Sequence, residues 1–417
     1  MLKAGALLYA VFISFIIALV CFFLILSHAY SRKNIETLIL KSTLTDHVMS
    51  GIRLLLSNDN LAADNSRTEY VLYEDEPSTI SFHKKKWGAY SIYIVEAEHK
   101  HLVEKRAVLT GNDIFKGEPV GLYVTDQNNY ISFSGNTRVT GTCYAPNGTV
   151  KRAYIEGEHY RGDKLVYGNI QNSQSRLPDL DNTFFNTTKT ILSDPVSYPD
   201  TAIHYDEAFN ESDSITQSFL SPTLDIWADG NINLQYITAN GNIRFFCNGH
   251  VTISSTADLT NVIIYALSLN IQSGFKGAIQ AYAFDSLVVE KNCQIDLPAF
   301  LGVISNRPAS MEIHDKAIVS GGILFYNTNI TEQEKSQLFI HEDATVHGEV
   351  YSNCYVQHKG TIHGSLYAYK LFLETKMGKY ENHLLDATVD FMSLSKKYTG
   401  TCIFEQNNPK RIIEWVY

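Results

Sequence analysis

Residues 344–352 read ATVHGEVYS and residues 360–368 read GTIHGSLYA, so one pattern returns after 16 residues. In each copy a β-branched residue is followed two positions later by glycine, and then by an apolar and an aromatic residue. This order describes a short strand, a glycine corner and a second short strand. A single unit cannot bury its own apolar side, whereas stacked copies can. The repeat therefore predicts a parallel, right-handed β-helix.

Further copies of the pattern extend this prediction along the chain. Residues 137–145 read TRVTGTCYA, residues 317–325 read AIVSGGILF, and short apolar runs separated by Gly, Asn, Asp and Ser lie between them. We assign 119–377 to the solenoid, with a Pro-rich, polar, loop-rich surface excursion over 171–224. An up-and-down sandwich is the alternative, and the repeats and the short strands disfavour it.

The N-terminal sequence predicts a membrane-spanning helix. Residues 4–31 carry no charge, and 6–26 alone supply the roughly 20 apolar residues that a bilayer core requires. Apolar residues then recur at steps of three and four as far as Leu56, which indicates a single transmembrane and amphipathic helix over 1–58, about 75–80 Å long. The alternative is a signal peptide cleaved near Ala29, but the apolar region is longer than such peptides usually have.

Two smaller segments flank the solenoid. Alternating apolar residues at 69–73, 79–82 and 89–95 predict a small antiparallel β module over 59–118, which we expect to pack on the outer half of the helix. An open solenoid end needs a cover, so 378–417 is expected to form a C-terminal cap.

Composition excludes some classes of function. The chain has 417 residues and a net charge of −10, and its only basic run, 83–86, is typical of a solvated turn, so no nucleic-acid partner is expected. The six cysteines are scattered without a CxxC pair, which predicts neither a zinc site nor a disulfide framework. All but Cys21 lie in strand-like sequence and are expected to be buried core residues.

No catalytic or cofactor-binding pattern is visible. His347 and His363 occupy the same place in successive copies, and His341 and His358 lie 17 residues apart, so each pair is expected to stack. These four histidines are the candidates for a metal site, but a ladder of corner side chains is the favoured interpretation and no metal or other cofactor is predicted. Acidic residues of a carbohydrate-active type are best interpreted as solvated carboxylates: Asp163, Asp179, Asp206, Glu207 and Asp285. The chain is therefore expected not to be an enzyme.

The N-terminus resembles type IV pilins and minor pseudopilins. The short leader 1–5 ends in glycine and precedes a long helix. The resemblance implies cleavage after Gly5, a helix that packs into a filament, and a β domain carried on the outer half of that helix. Ala10 stands where the family has glutamate, and Ala6 where it has phenylalanine.

The repeats over 225–375 resemble bactofilins, which are bacterial polymer-forming β-helix proteins without catalytic residues. The residues that carry this likeness are the corners 346–348 and 362–364. The resemblance implies self-assembly end to end, usually in the cytoplasm.

Together these features predict a non-catalytic, single-pass structural or assembly component of a bacterial envelope apparatus. Its expected partners are membrane lipid, itself or other envelope subunits through the N-terminal helix, and a glycan. The inner membrane is the expected location, with the soluble part in the periplasm. The alternatives are a membrane-anchored carbohydrate-binding or carbohydrate-active β-helix and a cytoplasmic bactofilin-like scaffold.

Overall fold

The computed structural model describes residues 3–62, 66–71, 78–193, 202–210, 212–404 and 408–416. Its first element is one uninterrupted α-helix, Lys3–Ser57, of 55 residues, which corresponds to about 80 Å at 1.5 Å per residue. Among the described residues it is the one helix long and apolar enough to cross a membrane. The predicted fold class is confirmed: a mainly β chain with a long apolar N-terminal helix, a small antiparallel sheet and a parallel β-solenoid.

The small sheet has five strands, all antiparallel. In sheet order they are Arg67–Tyr70, Thr79–Trp87, Tyr90–His99, Leu102–Asn112 and Lys410–Val416. Four of them come from the predicted module, although residues 72 and 73 of the first predicted strand lie outside the described residues. The fifth comes from the segment expected to form the cap. It hydrogen-bonds along Leu102–Asn112, which would otherwise be an open sheet edge.

The solenoid is a stack of parallel strands that wrap around one apolar interior. Its central strands are Thr238–Ile253, Asp258–Ile271, Lys276–Val289, Gln294–Ser305, Ser310–Ile313, Ile318–Asn327, Gln337–Ile340, Thr345–His358 and Thr361–Glu374. Inward residues form columns, one of which runs from Phe245 through Ile264, Ala281, Leu301, Ile323 and Val350 to Leu366. All seven are at most 1 % exposed, so the stack itself provides the core that one rung lacks.

Glycine at the rung corner has the role that the repeat predicts. A Cβ atom on Gly364 would lie 1.9 Å from the carbonyl oxygen of Gly348, and one on Gly348 would lie 2.0 Å from that of Gly321. The φ angles of Gly364 and Gly348 are 148° and 149°, which L side chains rarely adopt. The corner therefore requires glycine both for backbone conformation and for close stacking.

Stacking order departs from chain order at the two ends of the solenoid. One end is built by Ile203–His204, Ser214–Gln217, Leu224–Ala228 and Ile232–Leu234. The other end is built from residues 119–172, which stack beyond the strand Thr361–Glu374. Its strands are Val120–Val124, Ile131–Ser134, Arg138–Thr140, Thr142–Ala145, Val150–Arg152 and Ile170–Asn172. The earliest solenoid strands therefore lie next to the latest.

The junction between these parts is a composite rung with strands from both ends of the solenoid sequence. Leu366 pairs with Leu122, while Thr361 pairs with Thr388. The strands His383–Leu385 and Thr388–Asp390 contribute to this level of the stack and then pair with residues 132–140. Part of the segment expected to be a cap is thus internal to the stack, because both of its strand edges find partners. A short strand, Lys379–Glu381, folds back antiparallel on residues 372–374, and a separate hairpin pairs Tyr154–Ile155 with Glu158–His159.

The Pro-rich excursion contains a helix that the sequence analysis did not predict, Asn182–Ser193. Asp181 Oδ1 accepts a hydrogen bond from the Phe184 backbone N–H at 2.7 Å, which caps its first turn. Phe184 then packs on Phe300, with ring centroids 5.7 Å apart. This helix lies along the outside of the solenoid between its two ends. Pro195 and Pro199 lie outside the described residues. The remaining short helices are Tyr205–Ala208 and the 3-10 turns Asp59–Leu61, Ile114–Lys116, Pro146–Gly148, Ile330–Lys335 and Phe391–Ser393.

Candidate functional site

The inner half of the long helix is its most distinctive surface. Every residue from Gly5 to Ile39 is exposed, although 6–26 are almost entirely apolar. The first charged residues after this stretch are Arg32 and Lys33, and Arg32 pairs with Glu36 at 3.1 Å. A soluble protein rarely leaves so large an apolar surface uncovered, and a lipid core or neighbouring helices would cover it.

The outer half of the same helix is docked on the antiparallel sheet. Leu44, Val48, Ile52 and Leu55 are each at most 1 % exposed and contact the sheet face that carries Phe82, Tyr93 and Val95. Gly51 lies at the closest approach, because a Cβ atom there would be 2.8 Å from Phe82 Cε1 and from Val95 Cγ1. The exposed half therefore continues, without a break in the helix, into a buried structural joint.

The opposite face of the sheet packs on the solenoid. Trp87, Tyr90 and Ile92 meet an outward column of aromatic residues that includes Tyr265, Tyr282 and Phe300. The side chain of Gln280 joins the two parts: its Oε1 accepts from the Ala89 N–H at 2.8 Å, and its Nε2 donates to the Trp87 carbonyl oxygen at 3.0 Å. The sheet is thus a middle layer, with the helix on one face and the solenoid on the other.

The histidines predicted to stack behave in two ways. His347 and His363 are confirmed as a stacked pair, with ring centroids 5.1 Å apart on paired strands. The predicted pairing of His341 with His358 is wrong. His358 pairs with Ile340 instead, so the offset between these strands is 18 residues and not 17. A shift of one residue reverses the side on which a strand residue lies.

This shift places His358 in the interior. Its Nε2 lies 2.9 Å from the carbonyl oxygen of Thr388, to which it donates. Complete burial lowers the pKa of His358 to about 4. It is therefore a neutral, hydrogen-bonded core residue.

His341 lies on the outer surface in a cluster that the sequence analysis missed. Its ring stacks on His314, with centroids 4.4 Å apart. Glu312 Oε2 lies 3.3 Å from His314 Nε2 and 3.6 Å from His341 Nε2. Burial, and then the neighbouring His314, lower the pKa of His341. A signal was present in the sequence, because 311–314 read MEIH and 338–341 read LFIH.

A tyrosine-lined cleft lies where the composite rung meets the segment that returns to the sheet. Tyr123 stacks near Tyr144 and Tyr367, at centroid distances of 5.2 and 6.1 Å. The cleft has a volume of about 410 Å³ and includes Glu118 and Glu349 in its lining. Tyr144 donates a hydrogen bond to Glu118 Oε2 at 2.6 Å, which raises the pKa of Tyr144 to about 12.

The acidic residues considered for catalysis have unlike surroundings. Asp285 is held by Arg307, Asp206 lies 3.6 Å from His204, and Asp179 lines a cavity beside Tyr326 and Tyr351. Glu207 follows Asp206 in the short helix Tyr205–Ala208, and Asp163 lies beside Arg152, which donates to its carbonyl oxygen at 3.4 Å. The cysteines other than Cys21 are buried, as predicted.

Comparison of the chain with protein-family models, with curated proteins and with solved structures gives no match.

Proposed function

We propose that this chain is a single-pass, membrane-anchored structural subunit of a bacterial envelope apparatus, with a pilin-like or pseudopilin-like helix that carries a β-helix domain. The supporting observation is the continuity of the long helix. Its exposed apolar half, from Gly5 to Ile39, leads directly into the half that is buried against the sheet. Force or position at the membrane would therefore be transmitted to the solenoid through one rigid rod.

The proposed mode of action relies on surfaces. The apolar half of the helix inserts into the inner membrane and packs against helices of the same or other envelope subunits. The sheet holds the solenoid away from the bilayer through the joint at Gly51 and the Gln280 hydrogen bonds. We place the soluble part in the periplasm, because the repeat surface is rich in Tyr and Asn and poor in Lys. The bactofilin-like alternative places it in the cytoplasm.

Cysteine labelling in intact cells tests the orientation. Tyr236 is 73 % exposed and lies far along the chain from the helix, so Tyr236→Cys provides an accessible thiol, whereas the native thiols beyond Cys21 are buried. Labelling by a membrane-impermeant maleimide in intact, outer-membrane-permeabilised cells is expected. Labelling that requires lysis of the inner membrane would favour the cytoplasmic scaffold. The unsubstituted chain is the control for background reaction.

Cross-linking along the helix tests assembly. Single cysteines at 12, 13, 15, 16, 19 and 20, in a chain where Cys21 is replaced by Ala, should form disulfide-linked dimers or cross-links to another subunit at positions three and four residues apart. This periodicity is expected if one helix face forms an interface. Equal cross-linking at all six positions, or none, would contradict a specific helix interface and leave only a lipid anchor.

A second candidate function, binding of a glycan, is supported by the tyrosine-lined cleft. Stacked aromatic rings beside carboxylates such as Glu118 suit the apolar faces and hydroxyl groups of sugars. Tyr144→Ala should abolish binding to envelope polysaccharide fragments in this case, while Tyr154→Ala, at an exposed site in the hairpin, should not. If neither protein binds any fragment, the structural proposal alone remains.

A further inference from the structure

The side chains of Glu312, His314 and His341 converge at the outer edge of the solenoid. Glu312 and His314 lie two residues apart, so their side chains project on the same side. His341 lies one rung along the stack, since Ser310–Ile313 pairs with Gln337–Ile340. One ligand atom from each side chain lies within 4.8 Å of the other two.

From this geometry we infer that Glu312, His314 and His341 form a site for a divalent transition-metal ion, most suitably zinc. Two imidazoles and one carboxylate are a common protein ligand set for zinc, and they leave a position open for water or another ligand. In a tetrahedral site with bonds of about 2.0–2.2 Å, neighbouring ligand atoms stand about 3.3–3.6 Å apart. The distances from Glu312 Oε2 to the two histidine Nε2 atoms are 3.3 and 3.6 Å.

A second observation concerns His341 Nε2. This atom is buried and makes no hydrogen bond, although it faces Glu312. A buried polar atom without a partner is costly, and coordination to a metal would satisfy it. Asp315 Oδ1 lies 4.0 Å from His341 Nδ1, the ring nitrogen that an orienting carboxylate holds in metal sites.

The surroundings allow an ion to enter. The side chains of His314, His341 and Glu312 are 27 %, 22 % and 40 % exposed, so the cluster is open to solvent on one side. The aromatic ring of Phe339 stacks on His341, with centroids 3.7 Å apart, and covers another side. Lys291 pairs with Asp315 at 3.1 Å and so faces the orienting carboxylate.

The site would join two levels of the solenoid at its longest irregular connection. Between the two strands the chain passes through Ile318–Asn327 and the 3-10 turn Ile330–Lys335. A metal bound to both levels would restrain this connection and raise the stability of the folded chain by mass action.

The test uses the full chain in detergent, purified without a histidine tag and treated with a chelator. Zinc chloride is titrated by calorimetry, and thermal unfolding is followed with and without zinc. We expect one zinc ion per chain at micromolar affinity or tighter, and a rise in the unfolding temperature. Cobalt(II) substitution should give the intense visible absorption of a tetrahedral site.

Variants distinguish this site from non-specific binding. Glu312→Gln and His341→Ala should each weaken zinc binding by more than the roughly 10–100-fold typical of losing a supporting residue. The matched control is His347→Ala, because His347 belongs to a stacked histidine pair on the same solenoid with no carboxylate in its cluster. Unfolding curves in the presence of chelator establish that each variant folds. The inference is overturned if zinc does not bind at one equivalent, if His347→Ala weakens binding as much as His341→Ala, or if Glu312→Gln has no effect.

Discussion

Glu349 on the solenoid accepts two hydrogen bonds from Thr401, one from its backbone N–H at 3.0 Å and one from its hydroxyl at 2.8 Å. Glu349 is buried, and Thr401 belongs to the segment that leads to the last strand of the antiparallel sheet. The pair therefore fastens the connection between the sheet and the solenoid.

This pair predicts a stability that falls as pH rises. Burial raises the pKa of Glu349, and the hydrogen bonds from Thr401 only partly oppose this effect. Above the pKa of an unfolded glutamate, the folded chain retains a proton that the unfolded chain releases, so the free energy of unfolding decreases with pH. Glu349→Gln can accept the same bonds and should remove this slope. Glu349→Ala should cost about 1–3 kcal/mol because Thr401 loses its acceptor. Urea unfolding between pH 5 and pH 8 measures both effects, and a steeper slope in Glu349→Gln would contradict the assignment.

His358 predicts the opposite dependence in acid. Burial lowers its pKa from 6.5 to about 4, so between these values the unfolded chain binds a proton that the folded chain does not. The free energy of unfolding should therefore fall as pH decreases from 6.5 to 4, by up to about 3 kcal/mol. His358→Gln retains an N–H donor for the Thr388 carbonyl oxygen but cannot be protonated. Its unfolding free energy should change less over this range than that of the unsubstituted chain. An unchanged acid slope would show that other groups control it.

Gly364→Ala should disrupt rung stacking. The added Cβ atom would lie 1.9 Å from the Gly348 carbonyl oxygen, in a backbone conformation with φ of 148°. A loss of about 3–5 kcal/mol, or failure to fold, is expected from this clash and strain. Gly230→Ala is the control, because an added Cβ atom there would meet no atom within 4 Å. Thermal unfolding should separate the two variants, and equal stability would mean that the corner can relax.

Gly51→Leu should loosen the helix from the sheet. Even a Cβ atom at this position would lie 2.8 Å from Phe82 Cε1 and Val95 Cγ1, so the larger side chain must displace the helix. The expected cost is about 1–3 kcal/mol, seen as faster proteolytic release of the N-terminal helix from the rest of the chain. Arg53 is exposed on the same helix, and Arg53→Leu should leave the proteolysis rate nearly unchanged. Similar rates for the two variants would argue against tight docking at Gly51.

The sequence predicted those parts of the fold whose signals are local. The repeats at 344–352 and 360–368 identified the solenoid and its glycine corners, and alternating residues identified the antiparallel module. The composite rung was not predictable in the same way, because its hydrogen bonds join residues 244 and 250 positions apart, such as Thr125 with Tyr369 and Ser134 with Leu384. No local pattern records which distant strands become neighbours.

The errors at the candidate sites have equally specific causes. A misjudged offset of one residue separated His358 from His341, because strand residues alternate between the interior and the surface. The partners of His341 were missed because the turn Ile330–Lys335 lengthens the repeat at that point. The helix Asn182–Ser193 was hidden by its Asn and Thr residues, although Asp181 and Phe184 gave a cap and an apolar contact.

The composite rung also determines when during synthesis this protein can complete its fold. Residues 120–145 leave the ribosome early, but their pairing partners at 361–390 are made only near the end of the chain. Until then their strand edges remain unpaired, and loop closure over such distances slows folding. A nascent chain of this kind would depend on chaperones that hold exposed strands, and its final folding step would follow release of the finished polypeptide.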